Sequence, residues 1–77
     1  MPEAGMPLEY VLAQNLRRLR EAKHLSQENL ARHAGLTTRA YRDIEEDRYT
    51  PTISVVIRLA RAIGCTLDDL LPLDEIE

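Results

Sequence analysis

Residues 25–45 read LSQENLARHAGLTTRAYRDIE, and the fold turns on how this stretch divides. Ser26 and Thr37 are residues that cap helix N-termini, because a side-chain oxygen there can accept a hydrogen bond from a backbone N–H two or three positions on. Each precedes apolar residues at helical spacing: Leu30, Ala31 and Ala34 after Ser26, then Ala40, Tyr41 and Ile44 after Thr37. Gly35 stands at the end of the first run, where a left-handed residue stops a helix. The stretch therefore predicts two short helices joined by a tight turn. At about 100° per residue, Ala40, Tyr41 and Ile44 gather on one side of the second helix. Thr38, Arg39, Arg42, Asp43 and Glu46 gather opposite, with Glu45 on the border. A packed face is set against a wholly polar one, basic at its start and acidic at its exit.

The flanks extend the same pattern. Upstream, LEYVLAQNLRRLREAK repeats Leu12, Leu16 and Leu19 at i, i+4 and i+7, which predicts a helix over 8–23 with Arg17, Arg18, Arg20 and Lys23 largely off the stripe. Downstream, Thr52 after Pro51 opens ISVVIRLARAIG, with Ile53, Val56, Ile57, Ala60 and Ile63 expected inward and Gly64 as the stop. Thr66 caps a last short helix, LDDLL, before Pro72. No segment alternates like a strand. The reading is an all-α chain of five helices, and a composition 44% apolar but only 4% aromatic suits packed helices better than a sandwich. At 77 residues it is one small domain, marginal alone, so that dimerisation would help it. Residues 10–71 form the domain, 1–9 an N-terminal extension and 72–77 an acidic tail.

The net charge of −3 is unevenly spread: residues 10–65 carry +4, residues 1–9 carry −2 and residues 66–77 carry −5. Because charges are screened over roughly 8 Å at physiological salt, an acidic tail on the far side leaves a basic face free to meet nucleic acid. The lone Cys65 excludes an internal disulfide and leaves too few ligands for zinc. It is expected to be a buried structural thiol. His24 and His33 lack a third ligand, so neither metal nor cofactor is expected. The carboxylates lie on charged surface, and Ser26 and Ser54 fit a cap and a helix surface, which leaves no parts for an enzyme. There is no apolar run long enough to span a membrane and no signal peptide at the N-terminus, so a cytoplasmic location is expected.

The run LSQENLARHAGLTTRAYRDIE, followed by TPTISVVIRLARAIGCTLDDLL, resembles the lambda-repressor-like helix-turn-helix domains of the phage-repressor and Cro type, the xenobiotic-response-element regulators. The likeness covers about residues 10–71 and joins Leu25-Ser26-Gln27, Leu30-Ala31, Ala34-Gly35-Leu36, Ile44-Glu45, Thr50-Pro51 and Gly64 to Leu71 in one register. It implies that the helix from Gln27 crosses the DNA backbone while the helix from Thr37 enters the major groove. It places Thr38, Arg39 and Asp43 at base edges and Gln27, Thr37 and Arg42 at phosphates, with Arg20 and Glu45 as a pair tying the first helix to the third. Arg39 can bond guanine O6 and N7 together; Asp43 can accept from cytosine N4 or pair locally with Arg39. Glu46 is expected to pair with Arg42. His24 and Asp47 stand where the family usually has Gly, at positions that call for a left-handed backbone.

The resemblance thus implies a transcription regulator that binds double-stranded DNA as a homodimer on a near-palindromic operator, activator or repressor. Stand-alone relatives of this size include Cro-like regulators and the controller proteins of restriction–modification systems. The expected dimer interface comprises Cys65, Leu67, Leu71, Leu73 and Ile76, whose apolar side chains exceed what a short terminal helix buries alone. The alternative is an antitoxin-like protein-binding module whose acidic ends, 1–9 or 66–77, dock a basic partner protein.

Overall fold

A computed structural model describes residues 7–72 and contains five helices in this range: α1 (Leu8–Ala22), α2 (Gln27–His33), α3 (Thr38–Glu45), α4 (Ile53–Ile63) and α5 (Leu67–Leu70). No strand occurs among the described residues. The four expected caps form. Ser26 accepts from the Asn29 N–H at 3.0 Å, Thr37 from Ala40 at 3.0 Å, Thr52 from Val55 at 3.4 Å and Thr66 from Asp69 at 3.1 Å. At the last of these the Asp69 carboxylate accepts in return from the Thr66 N–H at 3.0 Å, closing a capping box. A cap of this kind contributes about 1 kcal/mol, so the helix starts are specified locally.

The helix ends share a device. His24, Gly35, Asp47 and Gly64 have φ of 58°, 74°, 60° and 88°, the left-handed region. After each of them, the next N–H reaches back to close the helix: Leu25 to the Arg20 carbonyl at 3.1 Å, Leu36 to Ala31 at 2.8 Å, Arg48 to Asp43 at 2.8 Å and Cys65 to Ala60 at 2.9 Å. His24 and Asp47 do take the conformation expected of glycine there.

That packing face is one core. Leu12 and Leu16 of α1, Leu30 and Ala31 of α2, Ala34 after it, Tyr41 and Ile44 of α3, Val56, Leu59, Ala60 and Ile63 of α4, and Leu70 with Leu71 are all buried together. Burying each large apolar side chain stabilises by about 1.5–3 kcal/mol. A polar tie, Asn15 Nδ2 donating to the Leu70 carbonyl at 2.9 Å, joins α1 to α5.

Three expectations are corrected here. Ile53 and Ile57, expected inward, remain 58% and 38% exposed, while Leu59 is fully buried. Eight of the eleven residues of ISVVIRLARAI are apolar, so composition does not separate the inner stripe from its flank. Val56, Leu59, Ala60 and Ile63 form the stripe; Ile57 stands about a quarter-turn away at 100° per residue, and Ile53 lies in the first turn, where the core does not cover it. Leu71, expected at a dimer interface, is only 7% exposed and belongs to the core of the single chain.

Candidate nucleic-acid interface

The turn of Gly35, Leu36 and Thr37 joins α2 to α3 and leaves the polar side of α3 facing outward. Arg39 and Arg42 are exposed there, with Thr38 and Asp43 half-buried beside them. Arg39 and Asp43 form no ion pair with each other among the described residues, so the local pairing open to Asp43 is not adopted. Glu46 does not pair with Arg42. It meets Arg48 at 3.3 Å on exposed surface, a contact that contributes little. Arg42 instead donates from Nε to Gln27 Oε1 at 3.2 Å, linking the phosphate candidates of α2 and α3 to each other.

Behind this surface lies Glu45, the one buried charged side chain described, 3% exposed. Arg20 donates to it twice, Nε to Oε1 at 2.9 Å and Nη2 to Oε2 at 3.0 Å, the two-pronged geometry that a carboxylate favours. Gln27 Nε2 adds a bond to Oε2 at 3.0 Å, Arg17 Nε a longer one at 3.4 Å, and the Tyr41 hydroxyl donates to Oε1. Burial alone would push the Glu45 carboxyl up; the hydrogen bonds from Arg20, Tyr41 and Gln27 outweigh it and hold the carboxyl down at about 2. Tyr41 is pushed well above the usual phenol range by burial and by the Glu45 carboxylate, so it remains a donor. The Arg20 guanidinium is raised chiefly by its hydrogen bonds to Glu45.

Arg20 and Glu45 are brought together as the resemblance implied. Arg17, Gln27 and Tyr41 were not anticipated in this cluster. For Tyr41 a signal existed: it precedes Glu45 by one helical turn on the border of the packed face. Gln27, assigned to a phosphate, is engaged at both ends of its amide, by Glu45 and by Arg42. Its oxygen faces a donor, so what it can offer a phosphate is the remaining N–H of Nε2.

Elsewhere, Cys65 is half-buried against the core, and burial, aided by Asp69, pushes its thiol up despite Lys23. That makes it a poor thiolate and a packing residue. Leu67 is exposed at 37%, whereas Leu73 and Ile76 lie outside the described residues. Among the described residues no group of three or more His, Cys, Asp or Glu side chains could hold a metal ion, and no helix is long and apolar enough to cross a membrane.

A turn-linked helix pair, braced from behind and presenting hydroxyl and guanidinium groups, defines a helix-turn-helix DNA-binding domain. The helix-turn-helix profile HTH_3 matches residues 16–70. Control protein C.SmaI of Serratia marcescens is 35% identical over 74 residues, covering 92% of this chain and 88% of that protein. The crystal structure of the restriction-modification controller protein C.AhdI from Aeromonas hydrophila superposes with a TM-score of 0.79 at 32% identity, covering 82% of this chain and 96% of its own. A hypothetical transcription factor, NHTF from Neisseria, gives a TM-score of 0.81 at 37% identity over 84% of this chain and 75% of that one. The chain belongs to the Cro/C1-type helix-turn-helix family of DNA-binding transcriptional regulators, which is not a family of enzymes.

Proposed function

We propose that the protein is a regulator of the restriction–modification controller kind, binding a near-palindromic operator as a homodimer. The α3 helix lies in the major groove, with Thr38, Arg39 and Asp43 at base edges; Gln27, Thr37 and Arg42 hold the phosphates. The observation that carries this reading is the division of acids on α3. Glu45 is consumed inside and Glu46 is drawn to Arg48, while Arg39 and Asp43 face outward without pairing to each other. A groove-reading face needs such uncommitted groups. The 35% identity with a control protein across nearly the whole of both chains supports the regulatory class.

Dimerisation follows from affinity: one copy offers only about three base-reading side chains, too few for the ~10⁻⁸ M binding typical of specific regulators. With Leu71 committed to the core, the exposed apolar side chains that α4 and α5 present to a second copy, among the described residues, are Ile53 and Ile57, one turn apart on α4, and Leu67. Two reading helices would then meet half-sites about 34 Å apart.

Selection of bound sites from random DNA, followed by footprinting and sedimentation of the complex, tests the proposal. A two-fold site occupied by two chains is expected. Arg39→Ala should weaken that site by about 1–3 kcal/mol and relax preference at one base pair per half-site. A uniform loss across all sequences would demote Arg39 to a phosphate contact, and tight binding of one chain to a single half-site would sink the dimer.

A further inference from the structure

The turn between α2 and α3 sets the angle at which α3 is presented, and its backbone is only partly self-satisfied. The Gly35 N–H bonds the Arg32 carbonyl at 3.1 Å and the Leu36 N–H bonds the Ala31 carbonyl at 2.8 Å. The carbonyls of Ala34 and Gly35 receive no backbone donor among the described residues. Both are taken by one side chain from α4: Arg58 Nε donates to the Ala34 carbonyl and Nη2 to the Gly35 carbonyl, each at 3.0 Å. The guanidinium lies so close that a Cβ added at Gly35 would stand 2.9 Å from Nη2. A side chain at position 35 would be strained by the φ of 74° and would push the Arg58 guanidinium aside. The entry to α2 is pinned in a parallel way, with Arg20 Nη1 donating to the Leu25 carbonyl at 2.8 Å. The α2 helix hangs between two guanidiniums, one from α1 and one from α4.

We infer that Arg58 is a positioning residue for DNA reading, acting on α3 through the turn it holds. Its planar pair of donors fixes two successive peptide planes, and a cation at the C-terminal end of α2 also complements the partial negative charge of the helix carbonyls. Without it the turn keeps its own hydrogen bonds and its core packing but loses its polar tie to α4, so the pitch of α3 is held less closely. Base-edge contacts demand strict geometry, whereas phosphate contacts made by long side chains adapt. Loss of Arg58 thus erodes discrimination and spares general attraction to DNA.

The inference rests on α3 being the reading helix, and the experiment separates the two. Arg58→Ala, Arg58→Lys and alanine variants of Thr38, Arg39 and Asp43 are compared with the wild type, all verified as folded by circular dichroism at the assay temperature. For each, affinity is measured on the selected site and on random duplex DNA across a salt series. Arg58→Ala is expected to lower the ratio of specific to random-duplex affinity about tenfold and to broaden preference at several positions, while random-duplex affinity and its salt slope stay within about twofold. Arg58→Lys, which keeps the charge and can reach a carbonyl, should lose less. A chain left unfolded by Arg58→Ala would pass the test to Arg58→Lys, with a smaller fall in the ratio expected. An unchanged ratio in the folded variants would overturn the inference. So would a parallel fall in random-duplex binding with a shallower salt slope, the mark of a phosphate contact. If alanine variants of Thr38, Arg39 and Asp43 all leave base preference intact, it is the reading by α3 that fails; if Arg39→Ala alters preference and the Arg58 variants do not, only the positioning role fails.

Discussion

Replacing Glu45 with Gln preserves shape, removes the charge and turns one acceptor oxygen into a donor, as protonation of the carboxyl also does, which makes it a close probe of the charged state of the buried cluster. In the folded chain the carboxyl is held at about 2 against an ordinary 4.5. Because the folded value is depressed, the carboxylate stabilises the fold fully above pH 4.5, and this contribution is lost as pH falls through 4.5 toward 2. A drop of that size corresponds to about 3 kcal/mol at neutral pH. Against a total of roughly 4–12 kcal/mol for a chain of this length, that is a large share. Glu45→Gln should therefore cost about 3 kcal/mol near pH 7, lowering the melting temperature by more than about 10 °C. The gap from wild type should close as acid is added, since protonated Glu45 and Gln are nearly the same group. Urea melts of both proteins at about pH 7, 4 and 2.5 read the difference directly, the other carboxylates being common to both. A gap that stays constant from pH 7 to 2.5 would refute the reasoning, because the carboxylate charge would then contribute nothing.

Arg20→Ala should cost about 3–5 kcal/mol, since it leaves the buried Glu45 carboxylate without its main partner, Glu45→Ala should also destabilise by leaving the half-buried Arg20 and the Tyr41 hydroxyl without their acceptor, and the double variant should cost less than the sum; additive urea melts would count against the pair. Asp47→Gly relieves a left-handed φ of 60° and removes an acid from the end of α3, so despite the added backbone freedom of Gly a gain of about 1 kcal/mol is expected in thermal melts. Ile57→Glu should leave the fold within about 1 kcal/mol of wild type while shifting sedimentation to the monomer. Leu71→Glu should unfold the chain instead, and an Ile57→Glu protein that still dimerises would move the interface elsewhere.

What could be read in the residues is what is local. Ser26, Thr37, Thr52 and Thr66 announce helix starts because a cap is made within three residues of itself. The left-handed ends at His24 and Asp47 and the Arg20–Glu45 pair came with the resemblance, which carries register. The polar and packed faces of α3 followed from periodicity, because its sequence alternates sharply between the two. In α4 the same reasoning misplaced Ile53 and Ile57, since eight of its eleven residues are apolar and only the surrounding helices decide which stripe they cover. The convergence of Arg17 and Gln27 on Glu45 joins three helices across as many as 28 residues of chain, and Arg58 reaches back 24 residues to the Ala34 carbonyl. No local pattern encodes such contacts: a backbone carbonyl has the same chemistry at every position, and which one lacks a donor is known only when the turn is folded and α4 is packed beside it.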